Sequence, residues 1–319
     1  ANTAAYLAVL EHGDAILGMS LAHGGHLTHG HPINFSGRYF DVHGYGVSQA
    51  DGRIDYEALA AQAREVRPRL IVAGASAYPR TIDFERMAAI AAEVEALLMA
   101  DMAHIAGLVA AGLHPSPFPH ADIVTTTTHK TLRGARGGMV FAKAALARAI
   151  DRAVFPGTQG GPLMNAIAGK AVALLEARSE GFRAYQHQVI ENAKVLAETL
   201  LAAGTELVSG GTDNHLILVD VTPLGVTGTE AELLLDEVGI TVNKNAIPFD
   251  PLPPNTASGI RVGTPATTSR GFGPEEMRRV GELIVRTLRE REDPTALAAV
   301  RDEVKEICAR FPVPGLPEA

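Results

Sequence analysis

Cysteine, aromatic residues and long apolar runs are all scarce in this chain. It holds one cysteine, no tryptophan and 5% aromatic residues among 319 positions. A single cysteine cannot form a disulfide within the chain, so nothing in the sequence implies an oxidising compartment. No uncharged run approaches the roughly 18 to 20 apolar residues that a membrane-spanning helix needs. The sequence therefore excludes a disulfide-stabilised scaffold and predicts no membrane span.

Positive charge is also in short supply. The chain has 36 acidic residues against 28 lysines and arginines, which gives a formal net charge of −8. Because binding to a phosphate backbone needs clustered cations, a nucleic acid is not expected as a partner. The 46% of hydrophobic residues and the length are typical of a globular protein with two domains. We expect a cytoplasmic protein of the size of an enzyme.

The first residues, ANTAAYLAVL, favour a helix but offer no initiator methionine and no evident capping residue. This pattern indicates a chain that begins inside a helix. We interpret the sequence as one from which an upstream segment is absent.

Short apolar runs alternate with helical patterns between residues 15 and 145. Strands are predicted at 15–20, 70–75, 97–101, 122–127 and 137–142. Between the second and third of these, Met87, Ile90 and Val94 fall on one face of a helix that Asp83 can cap. Strands that are apolar throughout and separated by helices indicate a mostly parallel sheet covered on both faces. The predicted fold class is α/β.

The pattern changes after about residue 180. Further strands are predicted at 215–220 and 259–263, and helices are predicted before Gly204, before Gly239 and at 275–290. Thr229 and Glu232 have the spacing of a capping box at the start of the second of these helices. We therefore predict a large, mostly parallel-sheet domain over residues 1–181 and a smaller α+β domain over residues 182–319.

Residues 125–138, TTTTHKTLRGARGG, place a single lysine, Lys130, after four threonines and a histidine. In a doubly wound sheet, ligands bind outside the carboxyl ends of the strands, and Lys130, Asp101 and Ser76 all follow predicted strands there. An acid and a lysine at this edge could form a plain ion pair. A lysine partly desolvated among threonines also favours the neutral amine that Schiff-base chemistry needs.

The neighbours of Lys130 favour the second interpretation. An acid such as Asp101 can keep the pyridine nitrogen of pyridoxal phosphate protonated, which makes the ring an electron sink. Glycines and hydroxyl groups supply the donors that a phosphate group needs. Each signal is weak alone, but together they predict that Lys130 binds this cofactor.

The same stretch resembles the pyridoxal-lysine motif of the serine hydroxymethyltransferase family. Seven further blocks resemble that family in the same order along the chain: LAHGGHLTHG (21–30), SAYPR (76–80), DMAHIAG (101–107), FPGTQGGPLM (155–164), SGGTDNH (209–215), VNKN (242–245) and SGIRVGTPA (258–266). The resemblance implies a fold-type-I enzyme that depends on pyridoxal phosphate. It would interconvert serine and glycine and transfer a one-carbon unit to tetrahydrofolate.

The resemblance also implies roles for individual residues. Lys130 matches the Schiff-base lysine and Asp101 the partner of the pyridine nitrogen. His26 matches a histidine stacked on the pyridine ring, His104 one near the phenolic oxygen of the cofactor, and His129 one that contacts cofactor or substrate. The remaining implied positions are Ser76 and Thr127 beside the cofactor, Arg261 on the substrate carboxylate, Gly161 on the phosphate of a neighbouring subunit, and Leu21, Gly25, Leu27 and Asn245 at folate. The Gly161 match implies a homodimer or a larger homo-oligomer.

The run HGGHLTHGH, residues 23–31, raises the alternative of a metal site. Its spacing is loose, and no cysteine or carboxylate lies within the run to complete a usual ligand set. We expect no metal there and interpret the three histidines other than His26 as structural residues.

Two other interpretations remain open. One is a related pyridoxal phosphate aldolase, or an α-methylserine-type hydroxymethyltransferase, on the same scaffold. The other is a catalytically silent, truncated chain that serves as a folded binding module.

Overall fold

The computed structural model describes residues 1–315, which form two compact units. The first unit comprises residues 1–48, 53–76 and 81–183, and the second comprises residues 49–52, 77–80 and the chain from residue 184 onward. The domain boundary predicted after residue 181 stays a prediction.

The first unit is built on one mixed, mostly parallel sheet. Within the described residues its strands are β1 (Ala15–Met19), β2 (Asp41–Tyr45), β3 (Leu70–Gly74), β4 (Leu97–Asp101), β5 (Ile123–Thr127) and β6 (Gly138–Ala142). They lie in the order β2-β1-β3-β4-β5-β6, and every neighbouring pair is parallel except β5 and β6. The predicted α/β fold class is confirmed, and five of these strands were predicted from their apolar runs.

Helices flank this sheet. They are α1 (Asn2–Val9), α2 (Phe35–Tyr39), α3 (Tyr56–Val66), α4 (Phe84–Glu93), α5 (Ala106–Ala110), α6 (Ala147–Arg152) and α7 (Met164–Glu176). The predicted cap of α4 is confirmed, because the Asp83 carboxylate accepts a hydrogen bond from the Arg86 N–H at 2.9 Å. Met87 and Ile90 on the predicted apolar face are buried, so α4 is held against the sheet by the side that the sequence pattern indicated.

Sequence reasoning missed β2. Asp41, His43 and Gly44 interrupt its apolar character, and only Tyr45 is fully buried among its five residues. This strand lies at the edge of the sheet and pairs with β1 alone. Because an edge strand has one neighbour and an open side, it does not need the continuous apolar run of a central strand.

The second unit contains an antiparallel sheet packed against helices. The strands of its described part are β7 (Glu206–Leu207), β8 (Leu216–Asp220), β9 (Asn243–Asn245) and β10 (Gly259–Gly263), in the order β7-β8-β10-β9. The helices are α8 (Glu180–Ala202), α9 (Gly228–Glu237), α10 (Pro265–Ser269), α11 (Pro274–Arg289) and α12 (Pro294–Arg310). Its core holds Leu200, Ile217, Leu235, Ile260 and Leu288, all fully buried. No helix within residues 1–315 has both the length and the apolar character needed to cross a membrane.

The predicted capping box of α9 is wrong by two residues. The helix is capped by Thr227, whose backbone N–H donates to the Glu230 carboxylate at 2.7 Å and whose hydroxyl accepts from the Glu230 N–H. Thr229 lies inside the first turn, and its hydroxyl donates to the Thr256 carbonyl at 3.0 Å. Two overlapping Thr-x-x-Glu patterns occur in this stretch, and the pattern alone does not distinguish them.

Gly18 of β1 lies in close contact with the histidine-rich segment, so a substitution at Gly18 tests the packing between them. A Cβ on Gly18 would lie 2.5 Å from the His29 carbonyl oxygen, whereas a Cβ on Gly44, its register partner in β2, would meet nothing closer than 3.5 Å. We expect Gly18→Ala to lower the free energy of unfolding by about 1–3 kcal/mol through overpacking. Gly44→Ala should change it by less than about 0.5 kcal/mol. Urea unfolding of both variants measures the difference, and equal values would contradict the close contact.

Candidate active site

The first unit holds a cleft of about 310 Å³ at the carboxyl edge of its sheet. Among the residues that line it are six predicted site residues: His26, Ser76, Asp101, His104, Thr127 and Lys130. The topology explains this grouping, because β3, β4 and β5 run parallel and end side by side, with Gly74 paired to Asp101. Three side chains predicted to converge at the strand ends, Ser76, Asp101 and Lys130, therefore do share one cleft.

Asp101, the last residue of β4, is an anion held by three donors. Its carboxylate accepts hydrogen bonds from His29 Nε2 at 3.1 Å, from Asn2 Nδ2 at 2.8 Å and from the Ala103 N–H at 3.1 Å. Burial raises the pKa of Asp101, but the hydrogen bonds from His29, Asn2 and the Ala103 N–H lower it, and the net shift is downward. The pKa therefore lies well below its usual range, so the carboxylate stays ionised in the cleft.

His29 is oriented so that it can only donate to Asp101. Its Nδ1 accepts the His26 backbone N–H at 3.3 Å, which leaves Nε2 to carry the hydrogen that points at the carboxylate. The side chain is 1% exposed. The expectation that this histidine is structural stays a prediction, and the structure adds that its ring contacts Asp101, the predicted partner of the cofactor. No local pattern in the sequence could have shown this contact, because 72 positions separate the two residues.

Asn2 is the second contact of Asp101 that sequence reasoning missed. Its amide donates to Asp101 and also to the Thr28 hydroxyl at 2.7 Å. Asn2 stands at the start of α1, where an asparagine has no distinctive spacing. No signal in the sequence could have selected it.

His26 lies in the cleft with one nitrogen already occupied. Its Nδ1 accepts the Thr28 N–H at 3.2 Å and lies 2.7 Å from the Thr28 hydroxyl. Burial, followed by the neighbouring His29 and Lys130, lowers the pKa of His26, and Asp101 partly offsets them. A neutral, flat imidazole in this position can cover the face of a flat ring without adding a second positive charge.

The fold brings a carboxylate to the histidine run that the local sequence lacked. His26, His29 and Asp101 each offer a ligand atom, and these atoms lie within 4.8 Å of one another. His29 and Asp101 are already hydrogen-bonded to each other, and His26 Nδ1 is satisfied by Thr28. The absence of a metal from this run stays a prediction.

Lys130 sits in a braced turn between β5 and β6. The turn is closed by hydrogen bonds from the Thr128 N–H to the Gly137 carbonyl at 3.0 Å and from the Gly134 N–H to the Thr128 carbonyl at 2.6 Å. The Thr128 hydroxyl donates to the Ala135 carbonyl at 2.5 Å. Thr131 ties the turn to the neighbouring segment, since its hydroxyl donates to the His104 carbonyl at 2.7 Å. The threonines around Lys130 therefore fix the backbone that carries it.

Helix α7 packs on this turn through residues with little or no side chain. An added Cβ on Gly134 would lie 2.7 Å from the Ala173 Cβ, and one on Gly169 would lie 2.9 Å from the Ala135 Cβ. The space beside Gly137 is filled by the end of the Lys170 side chain. The glycines after Lys130 thus allow close approach of a helix, in addition to the donor role that sequence reasoning gave them.

His129 points one nitrogen into a buried site without a hydrogen-bond partner among the described residues. This atom is Nδ1. Burial lowers the pKa of His129, the positive charges of Arg136 and Lys130 lower it further, and a hydrogen bond with the Gly137 backbone acts in the opposite direction. A buried polar atom without a partner costs free energy unless a ligand or water satisfies it.

Other predicted site residues, His129 among them, do not line this cleft. Leu21 and Leu27 are 43% and 41% exposed on the segment after β1. An added Cβ on Gly25 would fall 1.9 Å from the Met19 carbonyl oxygen, so close backbone approach alone requires a glycine there. Gly161 lies on an exposed loop with no atom within 4 Å of an added Cβ.

Arg261 and Asn245 belong to the second unit, on neighbouring strands. Asn245 pairs with Gly259, two residues before Arg261 in β10, so both side chains leave the same face of the sheet. Burial lowers the pKa of Arg261. A guanidinium with part of its hydration removed gains strongly from a bound carboxylate.

The buried anion predicts a pH-dependent contribution to stability. We expect Asp101→Asn to lower the free energy of unfolding by about 1–3 kcal/mol at pH 7, because His29 loses a charged acceptor. Since the pKa of Asp101 is depressed in the folded state, its contribution is fully present above the unfolded value of about 3.9 and declines as the pH falls below it. Unfolding experiments between pH 7 and 3 should show the two proteins converging only below pH 4. Convergence already at pH 6 would contradict an ionised Asp101.

A protein-family model matches most of the chain. Residues 1–284 match the family model described as serine hydroxymethyltransferase. The match includes the whole histidine-rich segment, Asp101, the turn of Lys130 and the strand of Arg261. Members of this family are transferases that depend on pyridoxal phosphate and act on serine and glycine. The chain belongs to the serine hydroxymethyltransferase family.

Proposed function

We propose that this protein interconverts serine and glycine and transfers the one-carbon unit to tetrahydrofolate. The observation that carries the proposal is the cleft in which Lys130 and an ionised Asp101 both lie. An amine and an ionised carboxylate at one sheet edge are what a pyridoxal ring needs at its aldehyde and its nitrogen.

The cleft fits pyridoxal phosphate by the chemistry of its side chains. Lys130 would hold the aldehyde carbon, Asp101 would keep a proton on the pyridine nitrogen, and His26 would cover one face of the ring. The cofactor, when bound, supplies an electron sink for charge that develops at the substrate Cα. His29 keeps Asp101 anionic while this charge develops, because its hydrogen bond favours the ionised carboxylate.

Other polar groups surround this arrangement. Ser76, Thr127 and His104 line the cleft, and His129, which does not line it, directly precedes Lys130 and carries a buried Nδ1 that a ligand could satisfy. We assign them to cofactor binding. Arg261, whose guanidinium is partly removed from water, is proposed to bind the carboxylate of serine or glycine.

Folate binding is proposed for two segments. Leu21 and Leu27 present exposed apolar side chains, which suit the flat ring system of a pterin. Gly25 sits between them in a tight backbone bend. Asn245 would supply polar contacts from β9, where its amide now donates to the Ala246 carbonyl at 2.7 Å.

We also propose a cytoplasmic homodimer. Helix α7 and the residues before it expose apolar side chains on the side away from the Lys130 turn, including Leu163 at 74%, Met164 at 65% and Leu175 at 67% exposure. Contiguous exposed apolar residues of this kind are typical of an interface between subunits. Gly161, on the adjoining loop, would then reach the cofactor of the neighbouring subunit.

Sedimentation velocity tests the dimer. We expect the parent chain to sediment as a species with twice the mass of one chain, which is 33.6 kDa. Leu175→Glu should shift the protein toward the monomer, because a charge in an apolar interface is costly to desolvate. Leu233→Glu is the matched control, since Leu233 is 61% exposed on α9 of the second unit. A parent chain that is monomeric, or a dimer indifferent to Leu175→Glu, would contradict this interface.

Turnover of serine labelled at its hydroxymethyl carbon tests the activity. With pyridoxal phosphate bound, we expect label to reach tetrahydrofolate, and Lys130→Ala to lose more than about 100-fold in rate because the Schiff-base lysine is gone. Lys143→Ala, at the far end of β6, is the control and should stay within twofold of the parent.

The same assay separates the alternatives. Release of labelled formaldehyde at the same rate with and without folate would identify an aldolase. Cofactor binding without any turnover would support a silent chain. If Lys130→Ala still became covalently labelled by borohydride in the presence of pyridoxal phosphate, the assignment of the lysine would be wrong.

A further inference from the structure

Asp250 is a half-buried carboxylate in the loop of residues 246–258, which joins β9 to β10. Its Oδ2 accepts hydrogen bonds from the Ile247 N–H at 3.1 Å and from the Ser258 N–H at 2.9 Å. Its Oδ1 accepts from the Leu252 N–H at 2.9 Å and from the Ser258 hydroxyl at 2.6 Å. One side chain therefore ties the beginning of the loop to its end.

The end of this loop is also fixed to the core of the second unit. The Ser258 carbonyl accepts a hydrogen bond from the Val221 N–H at 3.1 Å, and the Ala257 carbonyl accepts one from the Gly228 N–H at 2.8 Å. Ala257 and Ser258 are both buried. The carboxylate therefore connects Ile247, near the beginning of the loop, to a part of the chain that the core already holds.

The two strands that flank the loop differ in how the sheet holds them. β10 pairs over five residues with β8 and lies between β8 and β9, whereas β9 is the edge strand of the described sheet and pairs with β10 over three residues. A further tie of β9 runs through Glu232 of α9, whose carboxylate accepts the Lys244 N–H at 3.1 Å. Because β9 has a neighbouring strand on one side only, its position depends more on the loop than that of β10 does. Asn245 ends β9, and Arg261 lies in the middle of β10.

The loop holds one residue in a strained conformation. Phe249 has a φ of +61°, which a residue other than glycine rarely adopts, and its side chain is 49% exposed. Such a conformation persists only where its surroundings over-determine it. The four hydrogen bonds on the neighbouring Asp250 supply this constraint. The carboxylate thus controls the shape of the loop as well as the distance between its ends.

We propose that Asp250 is a positioning residue for tetrahydrofolate, because it fixes β9, and with it Asn245, beside β10. The inference rests on the proposed function, in which Asn245 contacts folate and Arg261 binds the carboxylate of serine or glycine. Since β8 holds β10 independently of the loop, loss of Asp250 should disturb the folate site and leave the amino-acid site intact. A carboxylate that only stabilised the second unit would affect both sites alike.

Binding of glycine and of tetrahydrofolate to the same protein separates these two roles. We would load the parent chain and Asp250→Ala with pyridoxal phosphate and titrate each with glycine by calorimetry. The glycine-saturated proteins would then be titrated with tetrahydrofolate under anaerobic conditions. The variant should lose about tenfold in affinity for tetrahydrofolate, because hydrogen bonds to a charged group are lost, and should stay within about twofold of the parent for glycine.

Two further variants make the comparison strict. Ser258→Ala removes one of the donors and should lose about two- to threefold in tetrahydrofolate affinity. Combined with Asp250→Ala it should cost little more than Asp250→Ala alone, because both changes act through the same hydrogen bond. Asp293→Ala is the matched control, since the Asp293 carboxylate accepts the Thr295 N–H at 2.9 Å and the Ala296 N–H at 3.2 Å at the start of α12. It should bind both ligands like the parent, and circular dichroism establishes that each variant is folded.

Three results would overturn the inference. Equal losses for glycine and tetrahydrofolate would mean that Asp250 supports the second unit as a whole, and an unchanged tetrahydrofolate affinity would mean that it does not position the folate site. A parent chain that bound glycine but no tetrahydrofolate would remove the folate part of the proposed function and this inference together, and that result needs no variant. If Asp250→Ala fails to fold, Ser258→Ala decides the question by the same comparison.

Discussion

The ionised carboxylate of Asp101 is the constraint on which the candidate site depends. A buried anion is tolerated only when donors surround it, and His29, Asn2 and the Ala103 backbone supply them from three different places in the chain. Those donors in turn require that β1, the histidine-rich segment after it and the start of α1 all meet the end of β4. The fold of the first unit can be understood as the arrangement that brings these segments to one anion.

Much of this arrangement could be predicted from the sequence. The central strands are short, apolar and buried on both faces, so a continuous apolar run identifies them and helical periodicity identifies what lies between. Once the strands are known to be parallel, the residues at their carboxyl ends must gather at one edge. Asp101 and Lys130 could therefore be placed together without any knowledge of their partners, and the family resemblance then supplied their roles.

The remainder depended on contacts between residues distant in sequence. His29 is 72 positions from Asp101, and Asn2 is 99 positions from it, so no local pattern reveals that either faces the carboxylate. The edge strand β2 lacks a continuous apolar run because it has a neighbouring strand on one side only. At α9, two capping patterns overlapped in the sequence. The helix begins at the earlier of the two, where the Gly228 N–H donates to the Ala257 carbonyl, in the loop before β10, at 2.8 Å.

The packing of α7 on the lysine turn has a consequence for how the sequence can vary. Gly134 opposes Ala173, Ala135 opposes Gly169, and Gly137 opposes Lys170, so each opposed pair contains one glycine. At the first two pairs the opposed atom is a Cβ fixed to the backbone, so a larger residue is tolerable on one side only while the other side stays glycine. Those positions must therefore change in matched pairs, whereas the flexible end of the Lys170 side chain can move away from Gly137. The turn and the helix therefore form one packed interface, although their contacting residues lie more than thirty positions apart in the sequence.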